Sequence, residues 1–346
     1  MNTENYSPGQ IALFGSGETS AAGGRVFEVL ARSLPTPLRI AILETPAGFE
    51  QNSDRVAGRV ADFLQARLQN YRPDVAVVPA RRRDTPFSPE DPGVTEPLLH
   101  ADLIFMGPGS PTYAVRQLQG SLAWHRLLAR HHLGATIALA SAAVISAGTL
   151  VLPVYEIYKA GEDLHWRPGL DLFGACGLTL VFIPHWNNAE GGAELDTSRC
   201  FMGQARFDAL AAMLPVETGI LGIDEHTTLL IDPHRDECNV IGRGEVRIIF
   251  GGAERSYDAG SAFPATALGS WREADLPQMP GALRAPAASN SAVQTEPPQE
   301  VLELAERRED ARQRKDWPRA DALRAEIEAL GWKVRDTPAG PEIVAR

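Results

Sequence analysis

An α/β fold, three layers with a parallel sheet between helices, is what this 346-residue chain predicts. Two observations carry that reading. Short β-type runs alternate with amphipathic helical stretches through the first two-thirds, the pattern of βαβ units whose sheet is covered on both faces. Small or polar residues follow several of those runs, where the loops of a parallel sheet gather ligands beyond the carboxyl ends of its strands.

In chain order, the apolar runs read as strands at Ile11–Phe14, Arg39–Leu43, Val75–Val78, Leu103–Met106, Thr136–Ala140, Leu178–Ile183 and Gly219–Ile223. Arg25–Leu34 and Ser53–Gln69 supply the first amphipathic helices between them. The later runs Thr228–Ile231, Asn239–Ile241 and Val246–Phe250 are separated by turn signals at Asp232-Pro233 and Gly242, and read as a small antiparallel appendage near Gly251. Composition then shifts. Residues 276–299 are rich in Pro, Ala and Ser without periodicity, as in a flexible linker closing a first domain of residues 1–275. Residues 300–346 form a separate module: helices over Val301–Lys315 and Pro318–Leu330, broken at Asp316-Trp317-Pro318, with Gly331 as a stop and a closing hairpin from Trp332 to Val344.

The formal charge of −11 argues against general affinity for nucleic acid or acidic membranes. Cys176, Cys200 and Cys238 are spaced too irregularly for a disulfide framework or a metal pattern, as expected of a reducing cytoplasm. No apolar run reaches the ~20 residues of a bilayer span, and the first residues lack a basic region followed by an apolar core, so neither a membrane partner nor export is expected. The histidines are scattered, with no His-Glu-x-x-His and no Cys-x-x-Cys; no metal set and no cofactor are expected.

Four strand-end loops stand out: Gly15-Ser16-Gly17-Glu18, Thr45-Pro46-Ala47-Gly48, Gly107-Pro108-Gly109-Ser110 and Ser141-Ala142-Ala143. None is a phosphate loop, because no Lys-Ser/Thr follows the glycines. Ser141 ends an apolar run and passes at once into small residues, which is how an α/β protein lifts a hydroxyl above its sheet. Glu156 and His185 follow downstream and offer a carboxylate and a base.

Phe105-Met-Gly-Pro-Gly-Ser-Pro-Thr112, the turn at Ser141, Ile183-Pro-His-Trp-Asn-Asn188 and Leu221-Gly-Ile-Asp-Glu-His-Thr-Thr-Leu229 together resemble the dipeptidase E and cyanophycinase family of serine peptidases, over roughly Ile11 to Gly251. The resemblance implies a flavodoxin-like sheet, as in class I glutamine amidotransferases. It also implies a Ser, Asp/Glu, His set that cuts small peptide or isopeptide bonds next to an acidic residue. Carried over by position, Ser141 matches the nucleophile, His185 the general base and Glu156 the acid that orients it. An amidotransferase itself would need a cysteine at the turn and a His-x-Glu downstream. The backbone amides of Ala142 and Gly109 are the natural oxyanion donors, since Pro108 has no N–H. Arg199, Arg206, Asn187, Glu18 and Asp224 are candidate contacts to an acidic, peptide-like substrate. One departure matters: the family's turn reads Gly-x-Ser-Ala-Gly-Ala, whereas this chain has Leu139-Ala-Ser-Ala-Ala-Val144. A relative that kept the fold and lost the chemistry is therefore the alternative.

The segment from Glu306 to Arg324, followed by Leu330-Gly-Trp-Lys-Val-Arg-Asp-Thr-Pro-Ala-Gly-Pro341, resembles the C-terminal module of cysteinyl-tRNA synthetases. In those enzymes the module contacts the anticodon region of tRNA. The synthetase signatures His-Ile-Gly-His and Lys-Met-Ser-Lys-Ser are absent, so the chain is not expected to be a synthetase. Ten Lys/Arg stand against eleven Asp/Glu in residues 300–346, so the module is not basic overall. Arg312, Arg314, Lys315 and Arg319 nevertheless cluster around Trp317, a mixture of charge and stacking surface suited to RNA loops. The other reading is a helical hairpin that brings two copies together as a homodimer.

Overall fold

The computed structural model describes residues 8–271, 299–314, 316–330, 332–337 and 340–345. They belong to two compact units, Met1–Ala287 and Ala288–Arg346. The linker expected at 276–299 lies outside the described residues up to 298, and Gln299 already opens a helix.

The first unit begins with β1 (Ile11–Phe14), α1 (Ala21–Ala31), β2 (Arg39–Leu43), α2 (Ser53–Arg67), β3 (Asp74–Val78) and β4 (Leu103–Met106). It continues through α3 (Pro111–Leu118), α4 (Leu122–His132), β5 (Thr136–Ala140), α5 (Ala142–Ser146), β6 (Leu150–Val151), α6 (Val154–Tyr158) and β7 (Arg167–Pro168). Last come β8 (Leu180–Ile183), α7 (Gly203–Ala211), β9 (Gly219–Ile223), β10 (Thr227–Asp232), β11 (Glu237–Gly242), β12 (Glu245–Phe250), β13 (Ala253–Asp258) and β14 (Ala262–Phe263). Serines begin three of the helices locally. Ser20, Ser110 and Ser121 each accept a hydrogen bond from a backbone N–H in the first turn of α1, α3 and α4, which satisfies a donor that the helix cannot.

Strands β3, β2, β4, β5 and β1 lie side by side and parallel, and β10, β11 and β14 extend the same sheet antiparallel from β1. Alternation along β1 shows how the layers form. Ala12 and Phe14 face a core shared with Phe27 and Leu30 of α1 and Leu64 of α2. Ile11 and Leu13 face the opposite core, with Leu118, Leu127 and Ile145 of the other helical layer. That layer also meets a second sheet, in which β8 and β9 run parallel and β12 and β13 continue antiparallel.

This is the expected α/β class with one difference in partition. The runs at 180–183 and 219–223 leave the main sheet for the second one, whereas 227–232 and 237–242, read as an appendage, are strands of the main sheet. The exchange occurs at Asp224-Glu225-His226, between β9 in one sheet and β10 in the other. His226 takes a left-handed backbone there, with φ of 56°. Gly15 ties the corner together: its N–H donates to the Thr227 carbonyl, and its carbonyl accepts from the His185 N–H.

The second unit pairs α8 (Gln299–Gln313) with α9 (Trp317–Ala329), followed by the hairpin β15 (Trp332–Thr337) and β16 (Gly340–Ala345). Val301, Leu304, Leu323, Ile327, Trp332 and Val334 form its own small core. Asp316 begins α9, its carboxylate accepting from the Arg319 N–H. Among the described residues, no helix is long and apolar enough to cross a membrane, and no group of three or more His, Cys, Asp or Glu could hold a metal ion.

Candidate active site

Ser141 stands where β5 passes into α5, with φ of 53° and ψ of −113°. That conformation is unfavourable for a residue with a Cβ and is found where a turn is held by its surroundings. Here the Ser141 N–H donates to the Phe14 carbonyl, and the Ser141 carbonyl accepts from the Ile145 N–H. Leu139 and Ala143, which stand where the resembled turn has glycines, are accommodated. Leu139 points away from the turn into the core beneath α5, fully buried, and Ala143 fits the same core.

His185 follows β8 and is also left-handed, with φ of 51°. Its carbonyl accepts from the N–H groups of Asn188 and Cys200, and Arg199 donates to the Trp186 carbonyl, so two loops brace its backbone. The imidazole Nε2 lies 2.9 Å from the Ser141 Oγ. The Nδ1 lies 2.9 Å from Glu225 Oε1, at the end of β9. An ionised carboxylate only accepts, so Nδ1 carries the proton and Nε2 is left to accept one from the hydroxyl. Glu225 is held in turn by Asn188 Nδ2 at 3.1 Å on the same carboxylate oxygen, and its N–H donates to Asn187 Oδ1. Burial pushes the Glu225 carboxyl up, but the hydrogen bonds from His185 and Asn188, with the nearby charges of His185 and His226, outweigh it and leave the pKa below the ordinary value. Hydroxyl, imidazole and carboxylate therefore form a relay at the carboxyl ends of three strands, an arrangement able to deprotonate an alcohol during attack on a carbonyl.

Glu156 does not occupy the position expected of it. It lies in the first turn of α6, where its carboxylate accepts from the Thr112 hydroxyl at 2.5 Å and sits 3.7 Å from Arg167. The carboxylate on the imidazole is Glu225, which is brought there because β9 pairs parallel with β8 in the second sheet and ends beside it.

Gly109, Ser141, Ala142 and His185 line a common cleft of about 200 Å³, together with Tyr155, Tyr158, Lys159 and Glu190. Ala142 is the first residue of α5, where a backbone N–H has no partner within the helix. Gly109 takes φ of 146° and lies so close to the Pro46 carbonyl that no side chain could be added. The other expected substrate contacts lie elsewhere. Arg199 stacks 4.5 Å over the Trp186 ring, and Arg206 is exposed on α7. Asp224 is buried and its carboxylate accepts from the Glu245 N–H, binding β9 to β12; burial pushes its carboxyl up. Asn187 supports Glu225, and Glu18 sits half-buried in the loop after β1 without lining the cleft. The cleft also holds Lys159, which caps the C-terminus of the five-residue α6 with its Nζ 4.8 Å over the Tyr158 ring; so short a helix leaves no periodic pattern in the sequence.

In the second unit, Trp317 is 56% exposed at the start of α9, with Arg314 and Arg319 exposed beside it. Arg312 is half-buried and engaged in an interaction of its own, and Lys315 lies outside the described residues.

Comparison with known proteins separates the two units. Residues 295–341 match the family model of the cysteinyl-tRNA ligase anticodon binding domain. Within it, 51 residues are 53% identical to the cysteine–tRNA ligase of Rubrobacter xylanophilus, covering 15% of this chain and 11% of that protein. The cysteine–tRNA ligase of Methanosarcina mazei is 52% identical over 48 residues, 14% of this chain and 10% of that one. The chain thus spans about a tenth of the length of these curated relatives. The crystal structure of a peptidase from an acI-B1 actinobacterium covers 76% of this chain and 100% of its own, with a TM-score of 0.60 at 19% identity, so the first unit shares its fold with that peptidase.

Proposed function

We propose that the protein is a serine hydrolase that cleaves an acyl bond of a small peptide-like substrate. The observation that carries this reading is the pair of 2.9 Å hydrogen bonds running from Ser141 through His185 to Glu225. Ser141 Oγ attacks the carbonyl carbon as its proton passes to His185 Nε2; Glu225 holds the imidazole tautomer and stabilises the imidazolium. The N–H groups of Ala142 and Gly109 receive the oxyanion, and loss of one such donor typically costs roughly 100–1000-fold in rate. Lys159 supplies the cation for an acidic substrate group, the part first assigned to Arg199 and Arg206.

A fluorophosphonate probe tests the proposal directly. Labelling should be confined to Ser141 and lost in both Ser141→Ala and His185→Ala. A wild-type protein that never reacts, or hydrolysis of a p-nitrophenyl ester that survives Ser141→Ala, would identify a relative that kept the fold without the chemistry.

A second activity is favoured by exposed Trp317 between Arg314 and Arg319, on a unit that matches a tRNA-binding family. Contact with tRNA through this face should fall with rising salt and weaken further in Trp317→Ala of the full chain, measured by filter binding. Affinity at physiological salt no tighter than ~10⁻⁴–10⁻⁶ M, unchanged by the substitution, would remove it.

A further inference from the structure

A larger chamber of about 820 Å³ adjoins the Ser141 cleft, with Tyr155 forming a wall of both. Nothing in the proposed relay uses it. Its walls are aromatic: Phe49 and Tyr113 lie 5.2 Å apart, and Phe49 and Tyr155 are 49% and 43% exposed. Large exposed rings facing one space have flat surfaces on which a planar ligand can stack. Glu50 also lines the chamber and has no ionic partner among the described residues. Glu156, on the same wall, keeps one buried carboxylate oxygen without a donor. Arg116, held 5.0 Å over the Tyr113 ring, separates the chamber from an adjoining hollow of about 240 Å³ walled by Arg82, Arg83 and Asp84, so that three guanidinium groups line it against one carboxylate. Arg83 is engaged with Glu90 and the carbonyls of Gln117 and Gln119, which leaves exposed Arg82 and Arg116 as the cations facing that hollow.

Aromatic planes, carboxylates seeking hydroxyl donors and paired guanidinium groups correspond to base, ribose and phosphate. Stacking suits any base, a carboxylate suits a ribose diol, and arginine suits phosphate oxygens. We propose that this chamber binds a nucleotide at the 3′ end of an RNA, and that the bond cleaved at Ser141 is an acyl ester on that nucleotide's ribose. For its chemistry the proposal rests on the hydrolase reading. Ser141 Oγ adds to the ester carbonyl carbon and its proton moves to His185. The acyl C–O bond to the ribose then breaks, and the ribose oxygen departs with that proton. Water cleaves the acyl-enzyme by the same route, releasing a carboxylic acid and restoring the serine. The acyl group, small and peptide-like, occupies the 200 Å³ cleft, and the leaving nucleotide occupies the chamber. A separate observation favours RNA over a longer peptide: the second unit matches an anticodon binding domain, so one chain carries two RNA-compatible surfaces.

Calorimetric titration of the full-length Ser141→Ala protein with adenosine 5′-monophosphate tests the site apart from turnover. Saturable binding is expected, weakened at least tenfold by Phe49→Ala and by Arg116→Gln, and weakened by removing the ribose 2′-hydroxyl. Both side chains are exposed, so neither change should unfold the protein. No saturable heat at millimolar nucleotide, or affinity that neither variant alters, overturns the proposal. So does inorganic phosphate binding as tightly as the nucleotide, or a phenylalanine-containing dipeptide displacing it at lower concentration, which would mark the chamber as a peptide subsite. With wild-type protein, release of the amino acid from an aminoacyl-adenosine ester should exceed that from the matching p-nitrophenyl ester, and Phe49→Ala should lower that ratio about tenfold. Nucleotide binding as described, with p-nitrophenyl hydrolysis undiminished by Ser141→Ala, would leave the chamber assignment standing and remove the hydrolase reading alone.

Discussion

Two glutamates compete for one part, and their contacts divide them. Glu225 reaches the imidazole at 2.9 Å; Glu156 is engaged with Thr112 and Arg167. Glu225→Gln should lower kcat on an activated ester by roughly 100-fold or more, since an amide can hold the wrong imidazole tautomer. Glu156→Gln should lower it far less, and steady-state kinetics of the two variants side by side decides the matter. The pH profile carries the same assignment. Glu225 is held below the ordinary carboxylate range, so it stays ionised where an imidazole titrates, and the acid limb of kcat/KM should report one ionisation. If Glu156 were the orienting group, Glu225→Gln would leave that limb and its amplitude in place.

At the scale of elements, the relay depends on a close approach between β9 and the segment after β8. Gly222 lies against the Trp186 ring, where any Cβ would collide. Gly222→Ala should therefore displace Trp186 and, through it, His185, lowering activity sharply with a smaller loss of stability; kinetics and thermal melts on one preparation separate the two. Leu139→Ala is the opposite case: it opens a cavity in the core and should cost about 2–5 kcal/mol of stability, seen as a shift in the denaturant midpoint. These positions also show what was legible in the chain. The strand at 136–140, the turn at Ser141 and the histidine after the strand at 180–183 were readable, because each is a local apolar run ending at a polar residue. Glu225 was readable only as one residue of the Leu221–Leu229 motif. Its pairing with His185 depends on β9 changing sheets, a choice made by packing between distant segments that no local periodicity records. Lys159 and Tyr155 were hidden for a related reason: a five-residue helix has too few turns to show a pattern.

Across the whole molecule, stability and chemistry respond to acid through different groups. His131, at the end of α4, is buried with its Nδ1 3.1 Å from the Ala135 carbonyl, and burial above all lowers its pKa to about 4. The unfolded chain binds a proton near pH 6.5 that the folded protein resists. Its contribution is thus intact above pH 6.5 and lost as pH falls towards 4, on the order of 3 kcal/mol in all. Melting temperatures between pH 7 and 4.5 should drop steadily in wild type and more gently in His131→Gln; equal slopes would exclude this residue as the cause. The turn at Ser141 brings a further consequence. Its φ of 53° and ψ of −113° suit an achiral residue better than one bearing a hydroxymethyl group, and such a mismatch costs of order 1–3 kcal/mol. Swapping in glycine should accordingly yield a chain that is inert yet melts at a higher temperature, so that calorimetry alone would register the tension between durability and reactivity.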